Sequence, residues 1–468
     1  MILIFLLATI LLTGLFLVTS IRNGETGTSA FWFVMLTLVF FLGAFITQWG
    51  ISNFSETDPV SDGVLTICLG LVFFICGARV GKLRLLADQL PRKTKPAAQP
   101  TRDDRWANRI LIILTVAVLL PSWLYFALLG SVPLFAGVGA VVEDGYGGLG
   151  ALQSARLNNT PHLSGQSIPL NGVLDLMRNY GVLFLIGIAL TQLLQGKSKF
   201  LRVSIIGAAV LTAAAGGQRW QLIYVFMVAL VAVALMRQRG FSVPLGRLLK
   251  WGGVLGVLAF ALTVLQRRTT DTITGLAEAV QFAFINLSER ILYDQSAAPI
   301  LSFVYQSFEP GELRGKTYVQ ALLAYVPGLD IQSFEVDFFL KVYGGTAAFT
   351  AAPGFFTEAF INFGFIGVAM LSLLWGFMLA RVDRSAFWDQ SSTALGAKAA
   401  TVAMLAGTSF AGAGLVVSCL LLLAYVLVIR GGVIWLSENS LSPQLPAPHG
   451  RRDRKPMDRP QSSHLVKT

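Results

Sequence analysis

AAPGFFTEAFINFGFIGVAMLSLLWGFM, residues 351–378, is the stretch that decides the fold class of this chain. It opens with the turn-prone Ala352-Pro353-Gly354, carries one carboxylate, Glu358, and stays apolar from Phe365 onward. With Ala359–Ile361 included, the apolar part is long enough to cross a bilayer, because a transmembrane helix needs about 20 mostly apolar residues. A loop therefore runs directly into a membrane helix, and we expect its acid to lie near the water boundary.

The composition of the whole chain agrees with this prediction. Of the 468 residues, 54% are hydrophobic and only 13% are charged, with a mean hydropathy of +0.66. A soluble domain carries about 25% charged residues. Long apolar runs recur throughout, which predicts an all-α polytopic integral membrane protein. The formal net charge of +11 does not indicate a nucleic-acid partner, because the basic residues lie in short loops between apolar runs.

The apolar runs predict about eleven membrane spans, of which the third, sixth and tenth are short. A large loop of the outer face, with helix-like apolar spacing around Leu276–Leu292 and Tyr318–Tyr325, predicts a small helical cap. The predicted spans are Ile2–Ser20, Phe31–Gly50, Val64–Ala78, Ile110–Leu129, Val173–Leu194, Val203–Ala215, Trp220–Met236, Trp251–Leu265, Ala359–Leu379, Ala399–Gly412 and Leu415–Trp435.

Basic residues predict the orientation of these spans. If the spans alternate in direction, the Lys- and Arg-rich loops all fall on one side, which the positive-inside rule makes cytoplasmic. Residues 1–436 then form one transmembrane domain that includes the outer loops 131–171 and 267–354. Residues 437–468 are rich in Pro, Arg, Ser and Lys, and they predict a disordered, basic cytoplasmic tail.

Ionisable residues are nearly absent from the midpoints of the spans between Leu111 and Val428, and they cluster at the outer rim. Transporters and proton pumps usually need such groups deep in the membrane.

Arg219 is the most informative of the rim residues. It ends Gly216-Gly217-Gln218-Arg219, a predicted outer hairpin, and outer loops tend to lack Arg. A guanidinium binds phosphate oxygens bidentately, which suits a lipid diphosphate; the alternative is an arginine that snorkels to lipid headgroups.

Other rim residues are candidates for the same site. Arg156, Arg290 and Arg314 are further outer arginines. Glu358 could act as a general base toward a hydroxyl, or it could be a first-turn carboxylate that stabilises a helix N-terminus. Arg178 lies three residues after an aspartate, so a local helical ion pair explains it at least as well as a functional role.

Three motifs carry a resemblance to a known family. The chain resembles bacterial oligosaccharide repeat-unit polymerases of the O-antigen (Wzy) type, loosely over the whole topology and more closely at these motifs. They are Gly216-Gly217-Gln218-Arg219 opening a span, Gly315-Lys316-Thr317-Tyr318 with Tyr325-Val326-Pro327-Gly328, and residues 352–364 followed by Gly367.

This resemblance implies an activity and a location. The implied protein is a multi-pass glycosyltransferase of the bacterial inner membrane, with periplasmic large loops and a cytoplasmic C-terminus, that needs no metal and no cofactor. It polymerises undecaprenyl-diphosphate-linked oligosaccharide units into O-antigen or exopolysaccharide on the outer leaflet. Arg219, Arg156, Arg290 and Arg314 would hold the diphosphate, and Glu358 would orient or deprotonate the acceptor hydroxyl.

The implied partners are the lipid-linked oligosaccharide, membrane lipid, a chain-length regulator and a flippase. Two alternatives stay open. One is an O-antigen ligase-like transferase, which shares the donor but moves the glycan to a lipid acceptor. The other is a flippase or transporter of lipid-linked oligosaccharides.

Overall fold

The structure, a computed structural model, is all-helical over the residues that it describes. Within them there is no strand, and eight helices are long and apolar enough to cross a membrane. The chain is therefore an α-helical polytopic membrane protein, as the sequence predicts. The described residues are 2–42, 58–83, 102–148, 151–158, 170–243, 245–265, 275–289, 305–306, 313–323, 326, 329, 331, 334–343, 353–385, 388 and 391–439.

Seventeen α-helices are described within those ranges. Two π-turns interrupt them: Leu38–Leu42 follows α2, and Met177–Gly181 joins α7 to α8. The helices are α1 (Ile2–Arg22), α2 (Ser29–Thr37), α3 (Asp58–Lys82), α4 (Arg102–Leu129), α5 (Pro133–Asp144), α6 (Ala151–Asn158), α7 (Asn171–Leu176), α8 (Val182–Leu194), α9 (Lys199–Ala215), α10 (Arg219–Gln238), α11 (Leu245–Leu265), α12 (Leu276–Glu289), α13 (Lys316–Leu323), α14 (Phe334–Tyr343), α15 (Phe355–Asp383), α16 (Ser392–Ala411) and α17 (Ala413–Asn439).

The eight candidate spans coincide with eight of the eleven predicted ones. They lie in α1, α3, α4, α7–α8, α10, α15, α16 and α17. The third predicted span belongs to a helix of 25 residues and the tenth to one of 20, so neither is short. The other three predicted spans fall in shorter apolar segments, Ser29–Phe41, the 17-residue α9 and Gly252–Leu265, and they stay predictions.

Small residues allow α3 and α15 to pack backbone to backbone. A Cβ atom at Gly77 would lie 1.9 Å from the carbonyl oxygen of Leu373, and one at Gly376 would lie 2.1 Å from that of Phe74. At Gly81, four residues after Gly77, an added Cβ atom would lie 2.7 Å from the carbonyl oxygen of Phe377 in α15. Membrane helices associate through such small-residue stripes because lipid tails give no hydrophobic force between apolar helices. This contact fixes the position of α15, which carries Glu358.

The helix ends that carry basic residues lie together at one end of the bundle, here called the basic end. Lys82 pairs with Glu25, and Arg384 donates a hydrogen bond to the carbonyl of Lys82. The side chain of Arg239 donates to the carbonyl of Trp388 at 3.2 Å. Basic residues that follow the third, seventh and ninth predicted spans thus meet at one end, as alternating spans require. That this end faces the cytoplasm stays a prediction.

The opposite end is formed by the α9–α10 turn, the start of α15 and the α16–α17 junction. The C-terminal part of α16 contacts the start of α15, where Ser409 lies against Gly354, and the N-terminal half of α10. Its Gly407 lies against the phenol of Tyr224 in α10, and Gly412, which follows α16, lies against the carboxylate of Glu358. Two motifs that are distant in the sequence therefore share one end of the molecule.

Helices are present where the sequence predicts an outer cap. α12 lies in the first stretch with helical apolar spacing and α13 overlaps the second, and α14 follows them. The last residues of both stretches lie outside the described residues. Phe334 and Phe338 of α14 cluster with Tyr305 and with Ile361 of α15. The helices are confirmed, and their assembly into a cap stays a prediction. α17 continues to Asn439, three residues into the predicted tail, and the rest of that tail lies outside the described residues.

Candidate functional site

Helix α15 is broken near its start. Phe363 has φ −145° and ψ 16°, and Gly364 has φ 61° and ψ −161°, so an eight-residue helix, Phe355–Asn362, precedes the long segment that crosses the membrane. The backbone angles of Gly364 lie where only glycine is unstrained. A break of this kind leaves carbonyl oxygens without an intrahelical partner, and a second segment of the chain has to satisfy them.

That second segment is Leu313–Thr317, from the loop that the sequence predicts to lie on the outer face; it is called the outer segment below. The amide of Leu313 donates to the carbonyl of Ile361 at 3.2 Å, and the amide of Arg314 donates to that of Asn362 at 3.0 Å. The buried side chain of Asn362 completes the contact. Its Oδ1 accepts from the amide of Gly315 at 2.9 Å, and its Nδ2 donates to the hydroxyl of Thr317 at 2.7 Å. The Gly315–Tyr318 motif and the Asn362-Phe363-Gly364 motif thus form one joint.

Glu358 lies inside this joint and is only 3% exposed. The hydroxyl of Thr317 donates to its Oε1 at 2.6 Å, and the amide of Ala413 donates to its Oε2 at 2.7 Å. Protein therefore surrounds the carboxylate, and its closeness to the water boundary stays a prediction. Glu358 lies in the first turn of its own helix, as the helix-end alternative requires. Its carboxylate also lies at a second helix N-terminus, since Ala413 begins α17.

Tyr318 adds an aromatic and polar group beside the joint. Its ring stacks on that of Phe363 with 6.3 Å between centroids. Its buried phenol oxygen has no hydrogen-bond partner among the described residues. Burial raises the pKa of this phenol above its usual range, and the nearby carboxylate of Glu358 raises it further. The phenol therefore stays protonated at neutral pH and can donate a hydrogen bond.

Arg314 is brought to the same joint by its backbone. It is a non-glycine residue in the left-handed region, with φ 47°, and its side chain is exposed. Its amide is held by Asn362, as described above, so the position from which the side chain extends is fixed. Of the predicted site residues, Arg314 and Glu358 are brought together in this way.

Arg219 lies in the predicted hairpin. α9 ends at Ala215, Gly217 makes the turn with φ 68°, and Arg219 is the first residue of the 20-residue α10. The hairpin predicted from the sequence is therefore confirmed. The first amides of such a helix have no intrahelical acceptor, and the positive end of the helix dipole favours anions there.

A polar network lies next to this turn. Arg178 is buried, at 6% exposed, and its Nη2 lies 2.6 Å from Oδ1 of Asp175, so the predicted local ion pair is confirmed. The same guanidinium lies over the ring of Tyr125, 4.4 Å from its centroid. It also reaches the turn itself, because a Cβ atom at Gly216 would lie 3.2 Å from its Nη1. The spacing of Asp175 and Arg178 in the sequence predicts the ion pair, but it does not predict the contact of Arg178 with the turn.

The structure describes no side chain for the other two predicted site residues. Arg156 belongs to the short helix α6, and only its backbone is described. Arg290 follows α12 and lies outside the described residues. Within the described part of the chain, no three His, Cys, Asp or Glu side chains come together as a group that could ligate a metal.

Sequence reasoning missed residues that the structure places in the site region. Thr317 and Asn362 were noted only as parts of motifs, although they are the partners that fix Glu358. Asn179 and Gln221 were not singled out at all. The hydrogen bond of Asn179 with Gln221 and that of Thr317 with Asn362 each join residues more than 40 positions apart. Periodicity along a chain does not indicate such pairs.

Comparisons with protein-family models, with curated proteins and with solved structures give no match for this chain. The fold and the site show a class of protein: it is a helical polytopic membrane protein with a polar, arginine-bearing joint at one end of its bundle.

Proposed function

We propose that this protein is a membrane glycosyltransferase that polymerises undecaprenyl-diphosphate-linked oligosaccharide units into O-antigen or exopolysaccharide. The reaction takes place on the outer leaflet of the bacterial inner membrane. The growing glycan is transferred from its lipid diphosphate to a sugar hydroxyl of a fresh unit. The bond between the anomeric carbon and the diphosphate breaks, and the acceptor hydroxyl forms the new glycosidic bond and loses its proton.

One observation carries the proposal. The Gly216–Arg219 turn and the joint of Glu358 with Arg314 come from distant parts of the sequence. Even so, Tyr224, five residues after Arg219 in α10, lies against Gly407 of α16, and Glu358 lies against Gly412, which directly follows α16. The turn and the joint therefore share the end of the bundle opposite the basic helix ends. An anionic substrate carried on a lipid would meet arginines and a helix N-terminus at this end.

The chemistry of the reaction suits these groups. A diphosphate is already a good leaving group, and arginines near it would stabilise the negative charge that develops as the bond breaks. Arg219 is the arginine best placed for this task, at the start of α10. Arg314, exposed beside the joint, is the second.

The structure bears on the role of Glu358 in this proposal. Because both of its oxygens accept hydrogen bonds from the protein, we assign it first to holding the outer segment Leu313–Thr317 against α15 and α17. General base action toward the acceptor would need one of these bonds to be exchanged for the substrate. The two roles are separable by mutation.

Reconstitution tests the proposal directly. Purified protein in lipid bilayers is incubated with an oligosaccharide linked to undecaprenyl diphosphate, and the products are separated by size. A ladder of longer glycans is expected, and the same oligosaccharide on undecaprenyl monophosphate, a poorer leaving group, should give none. Transfer only to an added lipid acceptor would instead identify a ligase, and movement of intact substrate across the bilayer without elongation would identify a transporter.

A further inference from the structure

The π-turn Met177–Gly181 lies beside the turn that carries Arg219. A π-turn inserts an extra residue into a helix and changes the direction of the side chains around it, and such turns are frequent at functional sites. Here the turn carries two buried polar side chains, Arg178 and Asn179, each 6% exposed.

These side chains contact the start of the Gly216–Arg219 turn and the first turn of α10 that follows it. Arg178 lies against Gly216, which begins the turn. Asn179 accepts a hydrogen bond through its Oδ1 from Nε2 of Gln221, which lies in the first turn of α10 and is fully buried. Asp175 holds the pair in place, because its carboxylate accepts from Nη2 of Arg178 and from Nδ2 of Asn179, at 2.6 and 2.7 Å.

Gly216 lies between the two polar groups. A Cβ atom there would be 3.2 Å from Nη1 of Arg178 and 3.9 Å from Oε1 of Gln221. The absence of a side chain at this position therefore allows the guanidinium and the amide to converge on the turn. Nε of Arg178 and Oε1 of Gln221 have no hydrogen-bond partner within the described part of the chain, so the network keeps spare donor and acceptor capacity at this place.

We propose that Arg178, Asn179 and Gln221 are positioning residues that fix the start of α10, so that Arg219 meets the substrate diphosphate in one geometry. The inference rests on the proposed function for the identity of the anion. Positioning has a large effect in such sites, because bidentate binding of phosphate by a guanidinium depends on the angle of approach.

A double-mutant cycle of binding measurements tests this proposal. Undecaprenyl diphosphate is titrated onto the full-length protein in bilayer nanodiscs, using the wild type, Asn179→Ala, Arg219→Ala and the double variant. Loss of the hydrogen bond to Gln221 should weaken binding about threefold to tenfold in the wild-type background. In the Arg219→Ala background, Asn179→Ala should alter diphosphate binding less than about twofold, because Asn179 acts through Arg219.

A matched control separates positioning from general stability. Gln192 is a buried amide at the basic end, and it accepts from Arg202 at 2.9 Å. Gln192→Ala should lower the unfolding temperature about as much as Asn179→Ala but leave diphosphate binding unchanged. If Asn179→Ala does not fold, Gln221→Ala removes the same hydrogen bond from the other side and takes its place in the cycle.

The outcomes distinguish this proposal from the proposed function. Equal weakening by Asn179→Ala in both backgrounds, or none in the wild-type background, would overturn the positioning role even if the wild type made polymer. A wild type that binds the diphosphate but makes no ladder would refute the polymerase activity, and the binding cycle alone would then decide the positioning role. A wild type that binds no undecaprenyl diphosphate would overturn both.

Discussion

At the scale of single residues, the structure separates two kinds of site residue. Glu358 is buried, and each of its carboxylate oxygens accepts a hydrogen bond, one from Thr317 and one from Ala413. The residue therefore holds these two segments against α15. Arg219 is placed by its backbone at the start of a long helix, where an anion is favoured. Mutations at these two positions should therefore give different patterns of stability and activity.

We expect Arg219→Lys to lose most polymer formation while the protein still inserts and folds. A lysine keeps the charge, but it cannot reproduce the bidentate geometry of a guanidinium. Polymer length and yield in the reconstituted assay measure the effect. Arg237→Lys, in the last turn of the same helix at the basic end, is the matched control and should keep normal activity. Normal polymer from Arg219→Lys would remove Arg219 from the site.

We expect Glu358→Gln to lower the free energy of unfolding by about 1–3 kcal/mol and to reduce polymer formation. The glutamine amide would direct a donor at a group that already donates, either the Thr317 hydroxyl or the Ala413 amide, and a buried unsatisfied group costs about that much. Thermal unfolding of the purified variant measures the first effect.

Thr317→Val shows which role of Glu358 matters for activity. It breaks the same joint without changing the carboxylate itself. If Glu358 acts by holding the joint, the two variants should lose stability and activity to a similar extent. Full activity in Thr317→Val together with an inactive Glu358→Gln would mean instead that the carboxylate acts on the substrate.

At the scale of elements, the break in α15 matters most. It ends the short helix Phe355–Asn362 at a place where the outer segment Leu313–Thr317 can bind the free carbonyls and the Asn362 amide. A continuous helix would satisfy those carbonyls internally and leave the outer segment without this attachment. The break is thus the feature that couples the outer loop to the membrane bundle.

We expect Gly364→Ala to lower the free energy of unfolding by about 1–3 kcal/mol, because its backbone angles lie in a region essentially restricted to glycine. The change should also expose the outer segment to added protease. The control is Gly431→Ala, at an exposed helical position where an added Cβ meets nothing within 4 Å, and it should be neutral or slightly stabilising. Equal stability of the two variants would show that the break is not needed for folding.

At the scale of the whole molecule, the helix ends divide into a basic end and an end that carries the candidate site. Contacts such as that of Arg239 with Trp388 join the basic ends. The Glu358 joint and the Gly216–Arg219 turn lie at the other end. The positive-inside rule then predicts that the candidate site faces the periplasm.

Cysteine labelling in intact cells tests this orientation. Arg314→Cys, at an exposed position of the candidate site end, should react with an impermeant thiol reagent added outside. Lys199→Cys, exposed at the start of α9 at the other end, should react only after the membrane is permeabilised. The reverse pattern would contradict the proposed outer-leaflet reaction, since the substrate would then have to be elongated on the cytoplasmic side.

The sequence by itself determined the class of this protein, eight of its spans and the hairpin before Arg219. These features depend on local signals, since about 20 apolar residues suffice to indicate a span and glycines between two apolar runs indicate a turn. The ion pair of Arg178 with Asp175 was predictable for the same reason, because it spans three residues of one helix.

Only the tertiary structure decided what surrounds those residues. The burial of Glu358 and its bond to Ala413, 55 residues away, could not be predicted from spacing, nor could the contact of Asn179 with Gln221 across 42 residues. Such contacts depend on how helices pack and where a helix breaks, as at Gly364, and packing is a property of several segments together rather than of any one of them.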